Sequence, residues 1–477
     1  MERRHFVGLS SLSAFQFLVQ ACFAQRRRDE SIKIPAAMGG FGPVVDAPND
    51  VVELPKGFTY VVLQRGWDKM SDGHRMPGQP DGMACFTDSK GRYVLMRNHE
   101  QDDEAFLEKY ELRKGQFSRG RVPKPRYRDK VYGGVTRVVL DPEVLASELE
   151  EGGANPSKSV LDSHFVLVGT RLNCSGGVLD GGWVSCEESS APGHGYAFMT
   201  RPEDTRLKPP RRIRSWGRFH REAVALDPDS GIVYMTEDRD DGCFYRFVPN
   251  NPKRPMGSGR LQALVIPDLS TTNPYSEPHF DDLGRWVQGV EGPKWPDGTS
   301  WRVQWVDVPD PQAEDEPCRH QAARLGATAF YHSEGILWDG SQIWFTASIA
   351  GEAGGGQIYR YRPGTTSDLL SLELEVQDRG VLSSPDNVVL ASFGDLIFAE
   401  DNYNMGPGVT HQWLRGMTRD GRIYDLARNP KVDLENHDAG AEFTGVCFSP
   451  CGRFLFVNLQ RPLNMTLAIT GPWPKVL

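Results

Sequence analysis

Six stretches of this 477-residue chain repeat one plan, and that repeat limits the possible fold more than any other feature. They are DGMACFTDSKGRYVLMRNHE from 81, NCSGGVLDGGWVSCEES from 173, HREAVALDPDSGIVYMTEDR from 220, HSEGILWDGSQIWFTAS from 332, SPDNVVLASFGDLIFAEDN from 384 and EFTGVCFSPCGRFLFVNLQ from 442. Each joins a short apolar strand to a strand rich in Val, Ile, Tyr, Phe or Trp through a turn containing Gly, Asp or Ser, which is hairpin chemistry. Further aromatic-rich strands follow several of them: GHGYAFMTRPED from 193, GCFYRFVPNN from 242, GQIYRYRPGT from 356 and GRIYDLARNP from 421. A hairpin extended by a third and fourth strand is the blade of a β-propeller. The expectation is an all-β, six-bladed propeller: a single domain over 35–477 with insertions between blades. The longest, 248–331, contains the possible strands LQALVI and WRVQWVDV. Helical periodicity is scarce, with 101–115 the best short candidate.

The 50 Gly and 34 Pro are spread along the chain, as many turns require, and 39% hydrophobic residues supply a core. A net charge of -9 argues against a nucleic-acid partner, because phosphate backbones attract basic surfaces. It leaves room for a small anionic substrate, since local charge can oppose the global balance. The first residues place Arg3 and Arg4 before a mildly apolar run ending in small residues, the pattern of a twin-arginine signal peptide over 1–24. Export by the twin-arginine machinery to the periplasm or the exterior is expected. Cys22 offers a weak lipoprotein alternative. No later segment is apolar and long enough to span a membrane, and a monomer is expected. Eight cysteines become seven once 1–24 is removed, so at least one lacks an intramolecular partner.

The repeat also says where chemistry can sit. Asp81, Cys174, Glu222, Glu334, Asp386 and Glu442 stand at the six hairpin entrances. At the ends of the second strands stand Asn98, His99 and Glu100, then Glu187 and Glu188, Glu237 and Asp238, and Glu400 and Asp401. The start of one antiparallel strand lies beside the end of the next, so both sets approach one face. A lone acid there caps a turn or faces water. Acids at equivalent places in several blades converge on one axis, where they must protonate, pair with Arg or Lys, or bind cations. Basic residues are not periodic, so cations are the economical reading. Carboxylates suit Ca²⁺ and ferric iron, and Cys174 adds a thiolate suited to a transition metal. Zinc fits poorly, since His is sparse and HExxH is missing.

NCSGG with Cys174, the following CEE, HREA, TEDR, SEG, FAEDN, EFTG and FVNLQRP, together with the twin-arginine start, resemble the PhoX family of bacterial alkaline phosphatases. The resemblance runs from about 35 to 475. It implies a propeller whose central site holds Fe³⁺ and Ca²⁺ and hydrolyses phosphomonoesters. Cys174 matches an iron-binding cysteine. Glu222, Glu334, Asp386 and Glu442 match metal-binding acids of the inner strands, and Glu187 or Glu188 matches the acid after the second strand of its blade. His99, Glu100, Glu400 and Asp401 are further matches to metal-binding positions. Two positions before Glu334, where the resemblance implies a phosphate-contacting Arg, this chain has His332. Cys174, Glu222, Glu334 and His332 are the candidates for direct catalytic roles. Two other classes remain open: a calcium-dependent lactonase-like hydrolase, which gives the thiolate no role, and a protein-binding propeller, which needs no metal.

Overall fold

Each of the six repeats begins with a short strand beside the molecular axis: β1 Pro80–Thr87, β2 Asn173–Leu179, β3 Arg221–Leu226, β4 Ser333–Trp338, β5 Pro385–Leu390 and β6 Phe443–Phe448. Each pairs antiparallel with the next strand in the chain, as the hairpin reading expects. The computed structural model describes residues 40–474 apart from 48, 111, 113–114, 274–278, 281–285, 288–294, 403–407 and 433–439. The signal-peptide reading of 1–24, Cys22 included, lies outside the described residues.

The strands assemble into a propeller-like, all-β arrangement. β1, β2 and β5 each open a four-stranded sheet. β3 and β4 form the two ends of one nine-stranded sheet. Its middle strand, Ser300–Asp307, pairs Gly259–Val265 on one side and Asp368–Glu375 on the other. The two strands expected inside the long insertion thus form, and they bridge two hairpin units. The fourth strand of the sheet opened by β6 is Thr59–Arg65, which runs antiparallel to Met465–Thr470 and ties the two ends of the domain together, and Gly153–Pro156 adds a fifth strand in parallel. The inner strands pack side by side in cyclic order, β1 on β2 and so on to β6, which packs back on β1.

Between the units, side chains alternating along the strands interdigitate. Tyr234, Phe244, Phe345, Tyr359 and Tyr361 fill the space between the units opened by β3 and β4, with Phe244 and Phe345 stacked at 4.4 Å. Each such ring contributes about 1.5–3 kcal/mol by leaving water. These layers hold the inner strands in place.

Three local expectations need correction. The helix expected over 101–115 is only Glu104–Lys109, capped by the Asp103 side chain. A ten-residue helix, Pro142–Glu151, stands where no helix was expected, with Asp141 capping its first turn and Pro142 at its start. GRIYDLARNP is the outermost strand of its sheet, because Trp413–Met417 takes the third place. The seven cysteines of the described residues are all free thiols. No helix of the described residues is long and apolar enough to cross a membrane.

Candidate metal centre

Two backbone devices turn the hairpin entrances toward the axis. The first is a left-handed residue two positions ahead of the acid or thiol: Gln79 at φ 44°, Leu172 at 44°, His332 at 50°, Ser384 at 46° and Gly440 at 87°. Four of these five are not glycine, and a non-glycine residue held there costs on the order of 1 kcal/mol or more. The second is a bulge. The ladder loses register between Pro80 and Met83, Asn173 and Gly176, Arg221 and Val224, Ser333 and Ile336, and Pro385 and Val388. Asp81, Cys174, Glu222, Glu334 and Asp386 are the first residues inside those shifts. A bulge frees a side chain from the strand's alternation and re-aims it. In the sixth hairpin the shift comes later, between Thr444 and Cys447, and Glu442 precedes the strand. The axis is narrow. A Cβ added at Gly82 would sit 2.6 Å from the Ser175 Cα, and one at Gly335 would sit 2.4 Å from the Asp386 carbonyl oxygen.

At the ends of the second strands, alternation sorts the paired acids. Glu187 turns outward into its own blade, where it is fully buried. It accepts bonds from the backbone N–H groups of Arg171 (2.9 Å), Gly195 (2.9 Å) and Tyr196 (3.2 Å), and lies 2.6 Å from His194 Nδ1. Glu237 likewise accepts from the Tyr245 hydroxyl at 2.7 Å and the Cys243 N–H at 3.2 Å. Glu400 accepts from the Ser383 N–H at 2.9 Å and from Arg415 Nε at 3.2 Å. His99 sits in the same row, its ring 2.8 Å from Thr136 Oγ1 and 3.2 Å from the Gly78 carbonyl. These four hold loops and strands together. His99, Glu187 and Glu400, expected at metal-binding positions, have protein partners for their polar atoms, and none of the three belongs to the groups of ligand atoms described next. The next residues, Glu100, Glu188, Asp238 and Asp401, interact electrostatically with the entrance acids.

Four groups of ligand atoms lie within 4.8 Å of one another: Cys174–Glu188–Glu222, Glu188–His220–Asp238, Asp238–His332–Glu334 and Glu222–Glu334–Asp386. Shared members link them into one chain of sites. Glu442, Asp401, Asp81 and Glu100 adjoin it electrostatically. Gln460 Nε2 donates to Asp81 at 2.8 Å and to Glu100 at 3.0 Å. Asp238, read at a second-strand end but not matched to a metal-binding position, belongs to two of these groups, and His220 is a member that the hairpin pattern did not single out. A signal for His220 was present, because HRE at 220–222 and HSE at 332–334 repeat one H-x-E pattern.

The electrostatics are those of crowded, dehydrated anions. Burial first, then neighbouring carboxylates, pushes Asp81, Glu188, Glu222, Glu334, Asp386 and Glu442 well above the usual carboxylate range. Burial also drives the Glu100 carboxyl up to about 7. The Cys174 thiol is pushed up by burial and then by Asp81 and Glu222. Burial lowers His220 to about 4, so its imidazole is neutral and able to ligate. Asp238 is the exception. Burial works against its ionisation, yet His332, with Nδ1 2.6 Å from Asp238 Oδ1, holds it down to about 2. The other ring nitrogen of His332 is 2.9 Å from Asp240 Oδ1.

Glu222, whose one side-chain hydrogen bond is to the Cys174 thiol, supports the fit of these residues to a bound cation. Both of its carboxylate oxygens are buried, and neither accepts a bond from a nitrogen or oxygen donor. A dehydrated carboxylate without such a donor is unfavourable unless it is protonated or meets a positive ion. With a thiol, a neutral imidazole and carboxylates around it, the donor set fits metal.

The sequence model of the alkaline phosphatase PhoX family matches residues 39–462. The chain belongs to the PhoX alkaline phosphatase family. It is therefore an enzyme of the phosphatase class, and the resemblance read from NCSGG, HREA and FAEDN is borne out. Among solved structures, PhoX of Pseudomonas fluorescens in complex with vanadate, a transition state analogue, matches with a TM-score of 0.60 at 17% identity, covering 90% of this chain and 97% of that one. A gluconolactonase of Xanthomonas campestris matches with a TM-score of 0.38 at 11% identity, covering 90% of this chain and 98% of that one. No curated protein matches. In this PhoX-family chain the linked groups of acids, thiol and imidazoles are the candidate active site.

Proposed function

We propose that this chain hydrolyses phosphomonoesters at an iron- and calcium-containing centre on the axis of a six-bladed propeller. The cyclic packing of β1 to β6 supports six blades, with the nine-stranded sheet counted as two blades joined through Ser300–Asp307. The observation that carries the metal reading is Glu222, buried among acids without a nitrogen or oxygen donor.

Cys174, Glu188 and Glu222 would hold iron, because a thiolate with carboxylates suits a transition metal. Glu222, Glu334 and Asp386 are all-oxygen donors and would hold calcium. Asp238, His220 and Glu442, with Glu100 and Asp401 beside them, are available to complete the set. Bound cations supply positive field for a dianionic phosphoryl group, stabilise transition-state charge and lower the pKa of water. The chain's own contribution is placement. Burial removes water from the acids, so each would attract a cation more strongly than in solvent. His332 bridges Asp238 and Asp240, keeps Asp238 ionised and sets positive charge at the edge of the acidic cluster. That charge stands where the resemblance implies a phosphate-contacting Arg. His332 therefore takes the phosphate-facing position, as a shorter cation already tied to two carboxylates.

Phosphate release from p-nitrophenyl phosphate, measured with metal content before and after chelation, tests the reading. Activity that tracks bound iron and calcium supports it, and full activity in metal-free protein overturns it. The same reading has Arg3 and Arg4 direct export to the periplasm or the exterior. Cell fractionation of an Arg3→Lys, Arg4→Lys variant tests that part.

A further inference from the structure

The chain is acidic overall, yet the junction between the sheets opened by β1 and β2 is basic. Two segments, KPRYRDK at 124–130 and RLKPPRRIR at 206–214, meet there. They border a groove of about 790 Å³ lined by Lys124, Arg126, Tyr127, Arg128, Pro209 and Pro210. Tyr127 joins the two segments. Its hydroxyl accepts from Arg212 Nη1 at 2.7 Å and donates to the Gly193 carbonyl at 2.6 Å. The Arg128 and Arg212 guanidinium groups lie 4.9 and 5.6 Å from its ring centre. Arg126 pairs with Asp129, and Arg211 with Asp204. Lys124, Lys208, Arg128 and Arg212 have no carboxylate partner among the described residues. Lys124, Arg128 and Arg212 are exposed, and Lys208 is half-buried.

The groove is linked to the acidic centre through one loop. Gly193, which Tyr127 holds, lies in the loop that begins at Glu188. Five residues of chain reach at most about 18 Å. The Arg128 guanidinium packs so closely on this loop that a Cβ at Gly193 would stand 2.7 Å from Arg128 Nη2. Four cations without carboxylate partners, two lysines and two arginines, match the spaced negative charges of a chain of phosphodiesters. The groove has no exposed large apolar side chain, so a bilayer has little to engage.

We propose that this groove binds the phosphodiester chain of a single-stranded oligonucleotide and delivers its terminal phosphomonoester to the metal centre. The proposal rests on the phosphomonoesterase reading and names a substrate class for it. The local charge, rather than the overall -9, governs this face.

The experiment uses the full enzyme with three probes: 5′-phosphorylated oligothymidylate, p-nitrophenyl phosphate, and a fluorescein-labelled oligothymidylate ending in hydroxyl groups. With four cations engaged, the affinity of the labelled oligomer falls about 50-fold between 50 and 200 mM salt. The triple variant Lys124→Ala, Arg128→Ala, Lys208→Ala weakens that binding at least 10-fold and flattens the salt dependence. It raises KM for the phosphorylated oligomer and leaves p-nitrophenyl phosphate kinetics unchanged. Binding of the hydroxyl-ended oligomer does not need phosphatase activity, so loss of the phosphatase reading and loss of this proposal are separable. Equal oligomer binding by wild type and variant overturns the proposal. So does capture of anionic lipid vesicles with no oligomer binding, or equal effects of the variant on both substrates.

Discussion

Glu187 and Glu188 are consecutive residues with opposite surroundings. Glu187 accepts backbone bonds at 2.9 and 3.2 Å inside its blade, while Glu188 shares a ligand group with Cys174 and Glu222 on the axis. Replacing each by Gln separates their roles. Glu187→Gln leaves a buried amide where a multiply bonded carboxylate stood. It is expected to cost about 3 kcal/mol in denaturant unfolding of chelated protein. Glu188→Gln is expected to keep that stability and lose at least about 100-fold in activity, since even outer partners of metal ligands cost 10–100-fold. The reverse pattern would exchange the assignments.

Glu222→Gln is expected to change stability in opposite directions with and without metal. In chelated protein at pH 8 it removes an acid whose ionisation burial, Asp386 and Asp238 oppose in the folded state, and melting rises. In loaded protein it removes a ligand, so melting falls and metal content drops. Melting curves of both variants with and without EDTA decide this. A shift of one sign in both states would contradict a ligand role.

The pH dependence of the metal-free protein follows from the raised carboxyls. Glu100 is pushed from 4.5 up to about 7, and six further acids are pushed well above their usual range. Below about pH 4 both folded and unfolded chains hold these protons, and the penalty vanishes. As pH rises, the unfolded chain releases them first while the folded chain retains them, so stability falls through pH 7. Chelated protein is expected to melt at a lower temperature at pH 8 than at pH 5, and added Ca²⁺ to remove much of the difference. A metal-free melting temperature that stays level or rises with pH would contradict the convergence of these acids.

Cys174→Ser tests the thiolate. A ferric thiolate absorbs visible light, so the wild-type enzyme is expected to be coloured and the variant colourless and poor in iron. Burial and neighbouring acids oppose ionisation of Cys174, and a cation is what would make its thiolate stable. A colourless, iron-free and fully active wild type would leave a calcium-only centre.

The entrances Asp81, Cys174, Glu222, Glu334, Asp386 and Glu442 were legible in the sequence because strand and turn chemistry is local. Which of two adjacent acids faces the axis was not. Strand parity decides between Glu187 and Glu188, and a shift of one residue reverses it. The left-handed residues that aim the entrances carried no signal, since Gln79, Leu172, His332 and Ser384 are not glycine. The helix Pro142–Glu151 does carry local signals, Asp141 and Pro142 at its start and Gly152 at its close, but it lies outside the hairpin repeat. The pairing of Ser300–Asp307 between two units joins residues far apart in the chain, which local pattern does not reach.

The central claim is that the axial acids and Cys174 form a metal centre. Diffraction from crystals of the active enzyme on either side of the iron absorption edge tests it most directly. The account predicts an anomalous peak that appears above the edge, bonded to Cys174 Sγ and flanked by Glu188 and Glu222. Active crystals with no such peak among Cys174, Glu188 and Glu222 would contradict it.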